Sequence, residues 1–464
     1  MTAPIDLRSE VDAYVDAALP RLTDELAKFV AIPSEAARPA DLARAAEWIV
    51  ERMRRLGADV SSISSPDDEA VPPLVVGEFG KSGPALIAVN HYDVQPAEPL
   101  ELWTSPPYEP QVRDGLLYGR GATDNKGELL ARLLGLEAHL AVHGRLPCRV
   151  RVLVEGEEER GSPHLGELLD RGKDLRRGQW AIGEGGGVDP EERPSIECGV
   201  RGMLGVQLNV RTLRSDIHSA LAAIVDNPIV RLSGALSSLA APDGTILLEG
   251  FADGVDTPDR ADVARVDAMP LGELEQLQEA YGVDRFRLGR TARESFAAVV
   301  FEPTLNIQAI WAGHPGANNK NVVPAEAHAR LDLRLVPSQD PDAILALLRR
   351  HLASHGFADV EVEPIRISYR PWWTPTWHEL VVAAASASAA VLGKEALISP
   401  SAPGTAPMWE VCHRYLVPAV SLGASRVDSM VHAPNETYRL ADAAVAAKIT
   451  SRFIGLLGPQ AAFT

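Results

Sequence analysis

Along the first two hundred residues, short apolar runs alternate with longer segments of helical period. PALIAVN (84–90) and RVRVLVEG (149–156) are apolar runs of strand length, and WAIGE (180–184) is a shorter one. Between the first two lies ELLARLLGLEAHLAV (128–142), apolar at helical spacing. Strand, helix, strand in that order predicts an α/β domain with a mostly parallel sheet flanked by helices.

The pattern changes near residue 202. MLGVQLNVRTL alternates like a half-buried strand, and NPIVRLSGALSSL (227–239) follows as a helix with Asn227 as N-cap and Pro228 in its first turn. A polar, Gly- and Asp-rich stretch occupies 244–300. Then come TLNIQAIWAG, AHARLDLRLV, the helix PDAILALLRRHLASHG and the strand VEVEPIRI. Two strand–helix–strand halves predict a small α+β, ferredoxin-like sandwich. From 373, HELVVAAASASAAVLG and PAVSLGA return to the earlier style. The expected organisation is a catalytic domain in two parts, 1–201 and 373–464, with an inserted lid or dimerisation domain at 202–372.

With 464 residues, 46% of them hydrophobic, the chain has material for more than one core. Sixty-three acids against 45 Lys and Arg give a formal charge of -18. Such a surface disfavours nucleic acid, because no basic patch displaces condensed counterions. The three cysteines, Cys148, Cys198 and Cys412, form neither a disulfide framework nor a zinc knuckle, which fits a reducing compartment. The amino-terminal MTAPIDLRSEVDAYVDAALPRL carries charges throughout and reads as an amphipathic surface helix rather than a signal peptide. No run reaches the roughly 20 apolar residues of a membrane span. The expectation is a cytoplasmic protein without a membrane or nucleic-acid partner.

Four segments place metal-ligand side chains where apolar strands end, the position of sites in α/β sheets. In VNHYDVQP, Asp93 lies two residues after His91 and on the same face if the strand continues. A nearby carboxylate fixes a ligating imidazole, though taken alone this segment reads as an ordinary turn. In YGRGATDNKG, Asp124 sits at a helix start, as a simple cap or as a carboxylate bridging two cations. EGEEERGS crowds Glu155, Glu157, Glu158 and Glu159 at a strand end, where they repel one another unless cations are near. A solvated charge run is the equal alternative. SMVHAPNE carries His432. His139, His143, His164, His351, His355, His378 and His413 lie in helical or polar context and receive no role.

In this order, the four segments resemble the family of co-catalytic di-zinc peptidases and deacylases. That family includes carnosinases, acetylornithine deacetylases, carboxypeptidase G-like enzymes and aminoacylases. The resemblance runs from about residue 20 to 455 and implies two divalent metal ions, zinc first and cobalt or manganese as alternatives. His91, Asp124, Glu159, Glu184 and His432 would be ligands, with Asp124 bridging. Glu158 would be the general base and Asp93 the orienter of His91. In the inserted domain, His218 of SDIHSALAAIVDNP would reach a partner subunit's active site, which implies a homodimer. Arg334 of LDLRLVPSQDP would clamp a substrate carboxylate. Asn227, Gly404 and Thr405 match the family's remaining substrate-side positions.

Three departures bear on substrate. Lys320-Asn321 replaces the family's Lys-Thr, no His precedes RPWW, and Ala402-Pro403 stand where some dipeptidases place an acid for a free amino group. The leading expectation is two-metal hydrolysis of a dipeptide or other small amide with a free carboxylate. The alternatives are a deacylase or carbamoylase acting on N-acyl or N-carbamoyl amino acids, and an inactive relative used as a binding module. A Ser nucleophile is excluded because the chain lacks a Gly-x-Ser-x-Gly elbow.

Overall fold

The computed structural model describes residues 7–457 apart from 82, 281 and 315–319. The chain divides into two compact units. One holds residues through Gly199, Trp373–Ser401 and those from Ala406 on; the other holds Val200–Trp372 with Ala402–Thr405. The return at Ala402–Thr405 has no signature in the pattern, because four residues carry no period.

The first unit is built on a sheet that has nine strands among the described residues. Four of them run parallel: Arg149–Glu155, Ala85–His91, Trp180–Gly183 and Ala419–Ser421. Antiparallel strands Leu74–Phe79 and Asp59–Ile63 extend one side; Pro194–Glu197 and Leu397–Ser399 extend the other. All seven residues of Ala85–His91 are buried. That explains a continuous apolar run rather than an alternating one, since helices cover both faces of such a strand.

Helix Lys126–His143 packs against the sheet strand Ala85–His91, and helices Leu7–Val30 and Leu440–Leu456 pack against that helix. Gly135 makes the second contact close: a Cβ there would run into the Ala447 carbonyl oxygen and lie 2.7 Å from Thr450 Cβ. Helix Leu7–Val30 is more than a surface helix. Val11, Val15, Leu22, Leu26 and Phe29 join the core, and buried Arg52 ties Glu25 of this helix (2.9 Å) to Glu137 (2.8 Å). Residues 1–6 of that expected helix lie outside the described residues.

The second unit has a four-stranded sheet in the order Thr304–Ala312, Glu326–Leu335, Gly202–Arg211, Glu361–Tyr369, with every neighbour antiparallel. Helices Pro228–Leu239 and Pro341–Ser354 bury Leu232, Leu236, Leu239, Ile344 and Leu348 with one face of it. This is the ferredoxin-like arrangement expected from the two strand–helix–strand halves. Asn227 and Asp340 cap the two helices. The polar stretch 244–300 contains helices Arg260–Ala268 and Gly272–Ala280 and the start of Ala292–Phe301. Its missed signal is a capping box, Thr291 with Glu294, which satisfies the first amides of the last helix.

Replacing Gly135 by Val should overpack the contact between Lys126–His143 and Leu440–Leu456 and cost about 1–3 kcal/mol. The expected readout is a lower denaturant midpoint at unchanged slope; an unmoved midpoint would show that the helices separate freely.

Candidate active site

The parallel strands end on one edge of the first unit's sheet, and two of the four sequence segments begin there. His91 closes its strand directly beside Glu155, which closes the next. Glu184 follows Trp180–Gly183. Arg132, buried in helix Lys126–His143, holds these strand ends together. It donates to the carbonyls of Val89 (2.9 Å), Leu422 (3.0 Å) and Gly183 and to Asn90 Oδ1 (2.9 Å).

Asp124, two residues before that helix, lies at the centre. His91 Nε2 is 2.9 Å from its Oδ1, and His432 Nε2 is 2.9 Å from its Oδ2. Each imidazole nitrogen faces a second carboxylate: Glu184 Oε2 at 3.1 Å from His91, and Glu159 Oε2 at 3.2 Å from His432. Donor atoms of His91, Asp124 and Glu159 lie within 4.8 Å of one another, as do those of His91, Glu158 and Glu184. The other nitrogen of His91, Nδ1, is 3.2 Å from Asp93 Oδ1. Asp93 also accepts the backbone N–H groups of Glu158 (3.2 Å) and Glu159 (3.0 Å). One buried carboxylate therefore orients both a histidine and the glutamate turn.

Burial and crowding set the charges. Removal from water, reinforced by the Glu184 charge, pushes Glu158 well above the usual carboxylate range, while His91 opposes the shift. Burial also raises Glu159 against its bond to His432. Burial acts the same way on Asp124, but its bonds to His432 and His91 overcome it and hold the carboxylate below the usual range. Bonds to Asp124 and Glu159 push His432 up to about 10. His91 rises too: burial acts against it, and the Glu184 charge with the bonds to Asp124 and Asp93 prevail. A partly buried cluster that draws positive charge this strongly, built from imidazole nitrogen and carboxylate oxygen without sulfur, fits divalent cations.

The glutamate run divides its work. Glu155 accepts from Ser162 Oγ (2.8 Å), and Glu157 lies 2.7 Å from His164 Nδ1, so these two shape the turn. Three further residues escaped the sequence reading. Glu436 accepts the N–H groups of Gly121 (2.9 Å), Thr123 (3.0 Å) and Asp124 (3.1 Å) and a bond from Arg120 (2.8 Å). Gln95 donates its side-chain amide (2.8 Å) and its backbone N–H (3.2 Å) to the two oxygens of Glu159. Asn125 donates to Glu184 (3.2 Å). Glu436 even stood within SMVHAPNE, but nothing local says that a turn more than 300 residues away lies opposite.

The other candidates belong to the second unit. His218 is exposed on the short strand Ile217–His218, with Nδ1 accepting from Ala220 N at 3.1 Å. Asn227 Oδ1 accepts from Ile229 N (2.9 Å) as a helix cap. Arg334, on Glu326–Leu335, places Nε 3.4 Å from Asp332 Oδ1. The Gly404 carbonyl accepts from Arg201 N (2.9 Å), and Thr405 beside it is half-buried.

Removing the Glu436 carboxylate (Glu436→Ala) leaves the buried Arg120 without its ion-pair partner and three turn amides without their acceptor. The expected loss is about 3–5 kcal/mol of unfolding free energy, the range for breaking a buried ion pair. A denaturant titration that finds less than about 1 kcal/mol, the worth of an ordinary hydrogen bond, would show that this cradle does not hold the Asp124 turn.

Residues 87–455 match the model of peptidase family M20/M25/M40. The chain is 29% identical over 458 residues to Beta-Ala-His dipeptidase of Homo sapiens, covering 93% of this chain and 89% of the relative. It is 27% identical over 343 residues to the Cys-Gly metallodipeptidase of Schizosaccharomyces pombe, covering 70% and 71%. Among solved structures, an M20 family metallo-carboxypeptidase from Sulfolobus solfataricus superposes with a TM-score of 0.87 at 32% identity, over 94% of this chain and 98% of that one. With a donor cluster at the strand ends and a family match over most of its length, the chain belongs to peptidase family M20/M25/M40.

Proposed function

We propose that this chain is a two-metal peptidase that hydrolyses the amide bond of a short peptide bearing a free carboxylate. The observation that carries the reading is the split of Asp124, one oxygen toward His91 and the other toward His432. The dipeptidase, metallodipeptidase and metallo-carboxypeptidase relatives support the substrate class.

In this reading His91, Asp124 and Glu184 hold one divalent cation, and Asp124, Glu159 and His432 the other, with zinc as the resident metal. Such ions supply Lewis acidity and bring a water's pKa near neutrality. Asp93 fixes the His91 ring so that Nε2 faces inward. Glu158, its backbone N–H held by Asp93, takes the proton from the attacking water and passes it to the departing nitrogen. Arg334 grips the substrate carboxylate in a bidentate pair. His218, supplied by the second subunit of a homodimer, stabilises the oxyanion. Asn227, Gly404 and Thr405 complete the substrate side. We place the enzyme in the cytoplasm: its three cysteines are buried and free, and no helix of the described residues is long and apolar enough to cross a membrane.

Ala402-Pro403 supports a second reading, hydrolysis of N-acyl or N-carbamoyl amino acids, since no carboxylate there holds a free amine. The third expectation, an inactive binding module, has little to support it, because every ligand position carries a competent donor.

Glu158→Gln should keep cation content and unfolding temperature yet lose about 10²–10⁴ in kcat, the usual worth of general acid–base catalysis. Activity within a few-fold of wild type would move the base elsewhere. A second test strips the metal and restores zinc, cobalt or manganese against matched dipeptides and N-blocked amino acids. Metal-restored cleavage of free-amine dipeptides supports the first reading, cleavage confined to N-blocked compounds selects the second, and no cleavage removes both.

A further inference from the structure

The segment FVAIPSE (29–35) leaves the first long helix and carries no acid–base or ligand chemistry of its own before Glu35. Ser34 within it is nonetheless fully buried, at 0% exposure. Its hydroxyl donates to the Tyr92 carbonyl at 2.6 Å, and its own carbonyl accepts from Val94 N at 3.1 Å. Tyr92 and Val94 are the residues on either side of Asp93. Ser34 thus clasps the backbone before and after the carboxylate that lies beside His91 Nδ1 and accepts from Glu158 N and Glu159 N.

The same segment meets the other ligand turn. Lys126, two residues after Asp124 and fully buried, donates its ammonium to the carbonyls of Ile32 (2.6 Å) and Phe29 (3.1 Å). Those carbonyls lie at the end of helix Leu7–Val30, where backbone acceptors lack helical partners and a cation is favoured. Residues 29–34 therefore join the Asp93 turn to the Asp124 turn.

We propose that Ser34 is a positioning residue, which acts through Asp93 to set the His91 ring and the Glu158–Glu159 backbone; this rests on the two-metal reading above. An ordinary buried hydroxyl would contribute to stability alone. A clasp on both sides of Asp93 contributes to the aim of three groups at once, and partners of this kind typically change metal affinity by about 10–100-fold when lost.

The test compares wild type, Ser34→Ala and Thr23→Ala. Thr23 donates to the Leu19 carbonyl at 2.9 Å within helix Leu7–Val30, so its removal deletes a hydroxyl-to-carbonyl bond that touches no ligand turn. Ser34→Ala is expected to bind zinc or cobalt about 10–100-fold more weakly in chelator competition. It should also alter the visible absorption of the cobalt form and lower kcat about ten-fold with KM within about two-fold, a loss at the low end of outer-partner effects. Thr23→Ala should match wild type in all three. Ser34→Cys, which refills the space with a weaker donor, replaces Ser34→Ala if the latter does not accumulate. A metal-independent arm reads the ring nitrogen shifts of His91 in metal-free protein, which should change in the Ser34 variant. Unchanged His91 shifts together with wild-type metal affinity and cobalt spectrum would overturn the proposal. If wild type itself takes up no cation, the two-metal reading falls and the His91 shifts alone decide the role of Ser34.

Discussion

Asp124 shares one carboxylate between two imidazoles, and much of the first unit serves to hold that group still. A buried anion is costly unless it is hydrogen-bonded and faces positive charge. Here His91 and His432 face its two oxygens, while Glu436 fastens the backbone of the turn. His91 comes from the end of a central strand and His432 from a loop near the carboxyl end, so the shared carboxylate closes the sheet edge around itself. Parallel topology makes this available, because it brings several strand ends to one edge.

The cluster has an imbalance that its protein partners leave standing. Asp93, Asp124, Glu158, Glu159 and Glu184 outnumber the two imidazoles. The nearby fixed cations are committed to other work: Arg132 to strand-end carbonyls, Lys126 to a helix end, Arg120 to Glu436. What remains is a partly buried site, rich in carboxylates, whose donors converge, the electrostatic description of a place for divalent ions. The inner residues are in turn held by outer partners. Gln95 bonds both oxygens of Glu159 and Asp93 bonds both halves of the glutamate turn, which limits how far any donor rotates.

The second unit works by different physics. Its sheet buries one face against two capped helices, and Arg330 and Arg334 alternate along Glu326–Leu335 with fully buried Leu331, Leu333 and Leu335. The period of two that builds the core thereby also sets these cations on the opposite face. Asn227 shows how a position read as substrate-side also has a local duty, since its side-chain oxygen caps the helix that follows.

By itself the sequence determined what depends on neighbours in the chain. Apolar period placed the parallel strands, the long helix after Asp124 and the ferredoxin-like insert. Local side-chain chemistry placed the cap at Asn227, and the order of His, Asp and Glu segments pointed to the family. It did not determine what lies opposite a buried polar group. Glu436 answers to amides more than 300 residues away, and Ser34 to a carbonyl 58 residues on. The helix at Leu7–Val30 becomes core only because another helix covers it. Those decisions belong to the tertiary structure, because a buried donor must find an acceptor wherever the fold brings one, and that satisfaction is a property of the packed chain rather than of any window along it.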